Sequence, residues 1–329
     1  MADKINNHFD EEVLINSLRA STWKEFYGQE VIKKSLRIAI KAAKERQEPL
    51  DHILLYGPPG LGKTTLAHLV AKELNVDIKI TSGTALAKTG DLAAILTNLK
   101  DGDVLFIDEI HRLPKAVEET LYPVMEDYAL DIVIGKGPSA RTVRLDLPKF
   151  TLVGATTRFG LLAGPFRDRF GLIHSLNFYQ PEELTHILSK GATKLGVKLK
   201  QDTALTIASR SRGTPRIALK LLKRVRDFAQ VKDKPINNEV VASALSMLTI
   251  DHLGLDQNER SFLGKIIQKH NGGPIGLKTI SATIHEDPGT IEEVIEPYLL
   301  EIGFINRTPQ GRVITSKAYK HLDIKYNKQ

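Results

Sequence analysis

The stretch Gly57-Pro58-Pro59-Gly60-Leu61-Gly62-Lys63-Thr64 decides the fold. It fits G-x-x-x-x-G-K-[ST], the phosphate-binding loop. The apolar run Ile53-Leu54-Leu55-Tyr56 ahead of it reads as a buried strand. Thr65 through Leu74 behind it carries apolar residues at helical spacing. Glycines let backbone N–H groups close around phosphate oxygens, and a helix N-terminus adds the positive end of its dipole. Lys63 can then reach β- and γ-phosphates, and the Thr64 hydroxyl can ligate Mg²⁺. An ordinary Gly/Pro turn is the bland alternative, which the full motif in its strand–loop–helix context disfavours.

Downstream, Val76 to Ile80 reads as a second strand and Asp103-Val104-Leu105-Phe106-Ile107-Asp108-Glu109 as a third. A strand apolar throughout suits a parallel sheet covered on both faces. Acids at its C-terminal end sit where open α/β sheets bind ligands. Asp108 can share the Mg²⁺ of Thr64, and Glu109 can activate water as a general base. Phe150 to Thr157 is a further buried strand ending in hydroxyls, and Thr156 or Thr157 can contact the γ-phosphate or its attacking water. In Phe166-Arg167-Asp168-Arg169-Phe170 the arginines suit stabilisation of transition-state charge, in cis or from a neighbouring subunit. A plain Arg–Asp surface pair is the alternative.

The rest of the chain bounds the class. At 329 residues it has room for two or three domains. There is no cysteine, so disulfides and thiolate metal sites are excluded. Met1-Ala2-Asp3-Lys4 lacks a signal pattern, and no run approaches the about 18 apolar residues of a membrane helix. The expectation is a cytoplasmic protein with residues 1–20 polar and partly mobile. The net charge of +7 sits in the middle: residues 180–250 hold 13 Lys/Arg against 6 Asp/Glu, while the flanking segments balance. Such an excess permits an acidic partner such as nucleic acid, or is simply a solvated face.

Between the third strand and Phe150, residues 130–135 and 142–147 alternate across Lys136-Gly137-Pro138-Ser139-Ala140, which reads as a β-hairpin. Its apolar residues Ile132, Ile134, Val143 and Leu145 either pack on their own domain or form a partner surface. Val31 to Ala43 reads as an amphipathic helix, with Trp23 and Phe26 as packing residues. Gln180-Pro181-Glu182-Glu183 opens a helical region, with Pro and acids in the first turn. It breaks near residues 195–197, 213–215 and 232–235, and Arg216 follows the second break. From residue 251 the pattern is helix (258–270), helix (277–284), helix (288–300), then strand–turn–strand over 304–315. That is winged helix-turn-helix. Arg307 and Arg312 flank the turn, where phosphate oxygens can meet them; a winged helix used only for protein contact is the alternative. The expected divisions are 1–179, 180–250 and 251–329.

Together, Gly57 to Thr65, Leu105-Phe106-Ile107-Asp108-Glu109-Ile110-His111-Arg112-Leu113, Met125-Glu126-Asp127-Tyr128, Gly154-Ala155-Thr156-Thr157-Arg158, Arg167 to Gly171, Gly213-Thr214-Pro215-Arg216 and Glu296-Pro297-Tyr298-Leu299 resemble the RuvB family of bacterial Holliday-junction branch-migration motors. The first motifs alone resemble AAA+ ATPases in general; residues 130–147 and Arg307 to Arg312 make the resemblance specific. It implies an α/β AAA+ P-loop parallel-sheet ATPase domain, a small helical lid domain and a C-terminal winged-helix domain. It implies a homohexameric ring on duplex DNA arms of a four-way junction, driven by ATP hydrolysis in recombination, repair and the SOS response. A RuvA-type junction binder would dock on the 130–147 hairpin, with a RuvC-type resolvase in the wider complex. It implies ATP/ADP and Mg²⁺ bound at Gly60, Gly62, Lys63, Thr64 and Thr65, with Leu18, Arg19, Glu126, Asp127, Tyr128, Tyr179 and Arg216 also at nucleotide. Thr157 would sense the γ-phosphate, Arg169 would be a finger supplied to a neighbour, Arg216 a lid sensor in cis, and Arg307 and Arg312 DNA contacts. The sequence departs from the family pattern at Ala20-Ser21, Thr84 and Thr89, positions that the resemblance puts beside the nucleotide or in a connecting loop.

Overall fold

A computed structural model describes residues 17–134 and 141–326, residues 133 and 134 by their backbone alone. The expected turn at 136–140 and most of the expected mobile segment 1–20 lie outside the described residues. The chain divides into two compact units. One comprises Arg19–Gly57 and Leu61–Asn177; the other runs from Phe178 onward and includes Leu18 and the loop tip Pro58–Gly60.

The first unit begins with α1 (Glu30–Arg46), which buries Ile32, Leu36, Ile40 and Ala43 along one stripe. β1 (Ile53–Tyr56) leads through the glycine-rich loop to α2 (Lys63–Leu74). β2 (Ile78–Ser82), α3 (Thr89–Leu96), β3 (Val104–Asp108) and α4 (Lys115–Asp127) follow. β4 (Ala129–Ile134) and β5 (Arg141–Asp146) pair antiparallel as a separate two-stranded sheet, and β6 (Thr151–Thr156) and β7 (Leu172–Ser175) complete the unit.

The main sheet is parallel throughout, in the order β2-β3-β6-β1-β7. Burial follows position: β6 is buried along its whole length and the apolar part of β3 likewise, whereas edge strands β2 and β7 are half exposed. That contrast is what helices on both faces of a parallel sheet produce. The register sets Tyr56 beside Thr156 and Ser82 beside Asp108, so the carboxyl ends of these strands share one edge.

His52, just ahead of β1, ties the opposite, amino-terminal edge of the sheet to α4. Its Nε2 donates to the Met125 carbonyl at 3.0 Å and its Nδ1 accepts the Leu152 amide at 2.9 Å. Burial holds its pKa below the ordinary histidine value, against the Met125 carbonyl and Asp51, so it packs as a neutral ring.

The second unit contains α5 (Pro181–Lys194), α6 (Gln201–Ala208), α7 (Pro215–Val231) and α8 (Asn238–Met247). Pro181 and Pro215 each open their helix, where a missing N–H is no loss. Leu184, Leu188, Leu222, Val225 and Val241 fill the space between them. Then come α9 (Gln257–His270), α10 (Leu277–Ile284), α11 (Glu296–Glu301), β8 (Ile305–Thr308), β9 (Gly311–Ile314) and α12 (Ser316–His321). Phe262, Leu263, Ile266, Ile280, Leu299 and Phe304 form one core beneath the β8–β9 hairpin.

The expected continuous helix over 288–300 is instead a short turn, Pro288–Thr290, a wide π turn, Ile291–Ile295, and α11. Pro297 has no N–H and its ring crowds the carbonyl four residues back, so the chain widens ahead of it. β7 and α12 were not expected from hydropathy: β7 alternates like any edge segment, and α12 spans six residues.

Candidate nucleotide-hydrolysis site

The glycine-rich loop leaves β1 through Gly57, whose φ of 137° lies in a region that side chains avoid. A Cβ there would sit 2.5 Å from the Leu176 carbonyl oxygen, so the loop can pass this close to the β7 segment only as glycine. Gly62 turns the chain into α2, and the first residues of that helix are Lys63, Thr64 and Thr65. Lys63 is buried, and its ammonium donates to the Gly57 carbonyl at 2.7 Å. Burial lowers its pKa, while the charges of Glu109 and Asp108 push the other way. The opposing effects place both carboxylates within electrostatic reach of the loop lysine.

Asp108 closes β3 and accepts the Glu109 amide at 3.0 Å. Glu109 adopts a left-handed backbone with φ 47°, which turns its side chain out of the strand direction. Gly83 packs against the Glu109 carbonyl so closely that a Cβ would collide with it. The carboxylate then meets the end of β6. Thr157 Oγ1 donates to Glu109 Oε2 at 3.1 Å. Thr156 is fully buried; its hydroxyl accepts the Arg158 amide and lies 2.9 Å from His111 Nδ1. The two threonines therefore differ in kind: Thr156 belongs to the strand interior and Thr157 to the carboxylate.

Arg169 lies on another part of the same unit. Its guanidinium donates to the Pro165 carbonyl at 2.5 Å, pairs with Glu126 at 3.1 Å and stacks 4.4 Å from the centre of the Tyr122 ring. Asp127 pairs with Arg144 of the β5 strand at 2.7 Å. Tyr128 packs edge-on against His52 and Phe150. The contacts of Glu126, Asp127 and Tyr128 are thus with Arg169, the hairpin and the core.

In the other unit, the Tyr179 amide donates to the Gly213 carbonyl at 2.8 Å, and the Arg216 amide to the carbonyl of Gly60 at the loop tip, at 3.4 Å. Leu18 is buried. Arg19, in the first unit, lies near enough to His68 to add to the burial that lowers its pKa. Arg307 and Arg312 face each other across β8 and β9. Arg307 is 49% exposed and Arg312 14%, and both reach the fully buried Glu296. The sequence expectation of two arginines at the tip of the wing missed this acid, which sits in α11.

Three family models cover the chain. Residues 18–176 match the Holliday junction DNA helicase RuvB P-loop domain, 179–251 the RuvB AAA lid domain and 252–323 the RuvB C-terminal winged helix domain. The chain belongs to the RuvB family. It is similar to the Thermotoga maritima RuvB Holliday junction branch migration motor, at 51% identity and TM-score 0.87, over 94% of this chain and 99% of that one. A mutant of the same Thermotoga maritima protein matches at 51% identity and TM-score 0.88, over the same shares. Family membership makes this a P-loop ATPase and DNA motor. Its parts are a parallel-sheet P-loop domain, a lid and a C-terminal winged helix. Among the described residues no helix is long and apolar enough to cross a membrane.

Sequence reasoning missed His111 and Glu296 as site residues. Motif spacing could not flag His111, because its partner Thr156 lies 45 positions away.

Proposed function

We propose that this chain hydrolyses ATP to drive double-stranded DNA through a four-way junction, as a cytoplasmic homohexameric ring acting in recombination, repair and the SOS response. The observation that supports it most is the meeting of Glu109 and Thr157 at the sheet edge, within electrostatic reach of Lys63. In this reading Lys63 and the amides at the start of α2 hold the β- and γ-phosphates, and Gly60, Gly62 and Thr65 shape the cradle. Glu109 accepts a proton from the attacking water, and Thr157 senses the γ-phosphate while buried Thr156 supports the strand.

Mg²⁺ suits the donors available. Among the described residues no group of three or more His, Asp or Glu gathers as a metal site. Magnesium needs only one or two protein ligands and fills the rest with water and phosphate; the Thr64 hydroxyl and the Asp108 carboxylate are that set. When bound, it offsets phosphate charge.

Leu18, Arg19, Tyr179 and Arg216 are assigned to nucleotide binding in cis. Arg169, with Glu126, Asp127 and Tyr128, addresses the nucleotide of a neighbouring copy. The Arg169–Glu126 pair supports this, since it puts both on one surface of the unit. The three domains are 1–179, 180–250 and 251–329. The β4–β5 hairpin docks a RuvA-type junction binder: Ile132, Val143 and Leu145 are exposed on it, and Ile132 faces Val143 across the ladder. A RuvC-type resolvase joins the wider complex. Arg307 and Arg312 lie on the DNA side of the head.

The test is ATP-driven dissociation of a synthetic four-way junction, with and without the junction binder. Dissociation that needs ATP and is raised by the binder is expected. Junction-independent ATP turnover with no strand separation in either arm would overturn the motor reading.

A further inference from the structure

His111 lies three residues beyond Asp108, on the short helical turn Ile110–Arg112. Its side chain is only 4% exposed. Nδ1 is 3.2 Å from Glu109 Oε2 and 2.9 Å from Thr156 Oγ1. A carboxylate oxygen can only accept, so the contact with Glu109 is attractive only if Nδ1 carries the hydrogen. In the opposite tautomer two lone pairs would face each other. The Nδ1–H is therefore a donor shared between the Glu109 carboxylate and the Thr156 hydroxyl oxygen, which also accepts the Arg158 amide. The end of β6 thus reaches the carboxylate by two routes, directly through Thr157 and indirectly from Thr156 through His111.

The Glu109 backbone is pinned by its left-handed turn and by Gly83, so carboxylate orientation is left to the side-chain torsions. Thr157 and His111 both bear on the same oxygen, Oε2. Thr157 is also the residue proposed to sense the γ-phosphate, and a hydroxyl engaged with phosphate no longer serves Glu109.

We infer that His111 is a positioning residue for Glu109: its buried Nδ1–H keeps the carboxylate aimed at the attacking water when Thr157 engages phosphate. The inference rests on the reading of Glu109 as general base. His111 acts through Glu109, with which it is in contact, so its removal is expected to lower turnover and leave nucleotide binding in place.

The experiment compares His111→Phe, which fills the space without a donor, with His111→Asn, whose amide can donate from near the Nδ1 position. ATP hydrolysis on duplex DNA and ADP binding are measured on the full chain. His111→Phe is expected to lower kcat roughly 10- to 100-fold, the scale of a misplaced reacting group, with KM and the ADP Kd within about twofold. His111→Asn is expected to recover most of the lost rate. Unchanged kcat in His111→Phe would overturn the inference, as would a matching loss of ADP affinity or a failure of His111→Asn to restore turnover. Should the Phe variant not fold, His111→Ala is read in the same way. Glu109→Gln, run in parallel, separates the two levels. If it still turns over normally, the base assignment falls and the inference with it. If it is inactive while His111→Phe is normal, only the positioning role falls.

Discussion

Two glutamates in this chain illustrate how partners decide role. Glu109 follows β3 at the sheet edge, 29% exposed, and its neighbours there are a hydroxyl and an imidazole. Glu296 begins α11 and is fully buried, gripped by two guanidiniums, with Arg307 at 2.5 Å and Arg312 at 2.8 Å. Glu109 has hydrogen-bond donors that orient it, with the buried Lys63 ammonium within electrostatic reach. Glu296 is neutralised and serves to hold two like charges on facing strands. Unscreened, Arg307 and Arg312 directly opposite each other would repel. The same side chain is thus left accessible for chemistry in one unit and fixed as structure in the other.

The largest test of that contrast is Glu109→Gln. It is expected to bind ATP and keep the fold while hydrolysis falls about 10²- to 10⁴-fold, the usual worth of a general base. Steady-state turnover with parallel thermal melts checks it; a large fall in melting temperature would mean that Glu109 is also structural. Glu296→Ala should behave in the opposite way. Removing one partner of a buried ion pair costs about 3–5 kcal/mol, so chemical denaturation should show the C-terminal unit destabilised by that order. ATP binding to the folded fraction should persist. A stable Glu296→Ala head would erase the distinction between the two acids.

The two glutamates were unequally legible. Asp108-Glu109 follow an apolar run and a phosphate loop, and both signals are local, so periodicity and spacing found them. The position of Glu296 in the family motif is equally visible, but its role needs β8 and β9 folded back onto α11, over 11 and 16 residues. His111 looks like the start of a helix until β6 arrives beside it. Arg307 and Arg312 flank one turn symmetrically in the sequence, yet the fold leaves Arg312 14% exposed and Arg307 49%; β9 also pairs at Arg312 with Ile275 on its other side. The widened turn before Pro297 could have been foreseen from the proline; the edge strand β7 could not, since its half-buried alternation lacks the continuous apolar run that marked β3 and β6.

A third glutamate, buried like Glu296, extends the comparison toward pH. Glu259 in α9 accepts from Arg212 Nη1 at 2.5 Å, and Asp256 stands beside it in the capping box. Burial is the main cause that raises its pKa from 4.5 to about 7; Arg212 opposes it and Asp256 adds to it. A group whose pKa is higher folded than unfolded binds its proton more tightly in the fold. Its stabilising effect is therefore complete below 4.5 and lost as pH rises through about 7. Melting curves across that window should show the wild-type C-terminal unit losing stability with rising pH, and Glu259→Gln should flatten the slope. An unchanged slope in the variant would place the titrating group elsewhere.

The smallest expected effect separates the two arginines held by Glu296. Arg312 makes three bonds to acids, through Nε to Glu296 and through Nη2 to both Glu292 and Glu296. Arg307 bonds Glu296 through Nε and Nη2 and stands half exposed. With Glu292 and Glu296 the cluster carries two positive and two negative charges, so a phosphate gains from it only through the arginine that solvent reaches. Arg307→Ala should therefore reduce the slope of log K against log salt for duplex DNA by about one unit, with a smaller fall in melting temperature than Arg312→Ala, because Glu296 keeps its bonds to Arg312. Arg312→Ala should do the reverse, leaving Glu292 and Glu296 short of a partner and lowering stability while the slope holds. If Arg312→Ala instead removes a full unit of slope at unchanged stability, its guanidinium leaves the acids when DNA binds, and the buried cluster is a store of phosphate contacts rather than a brace for the wing.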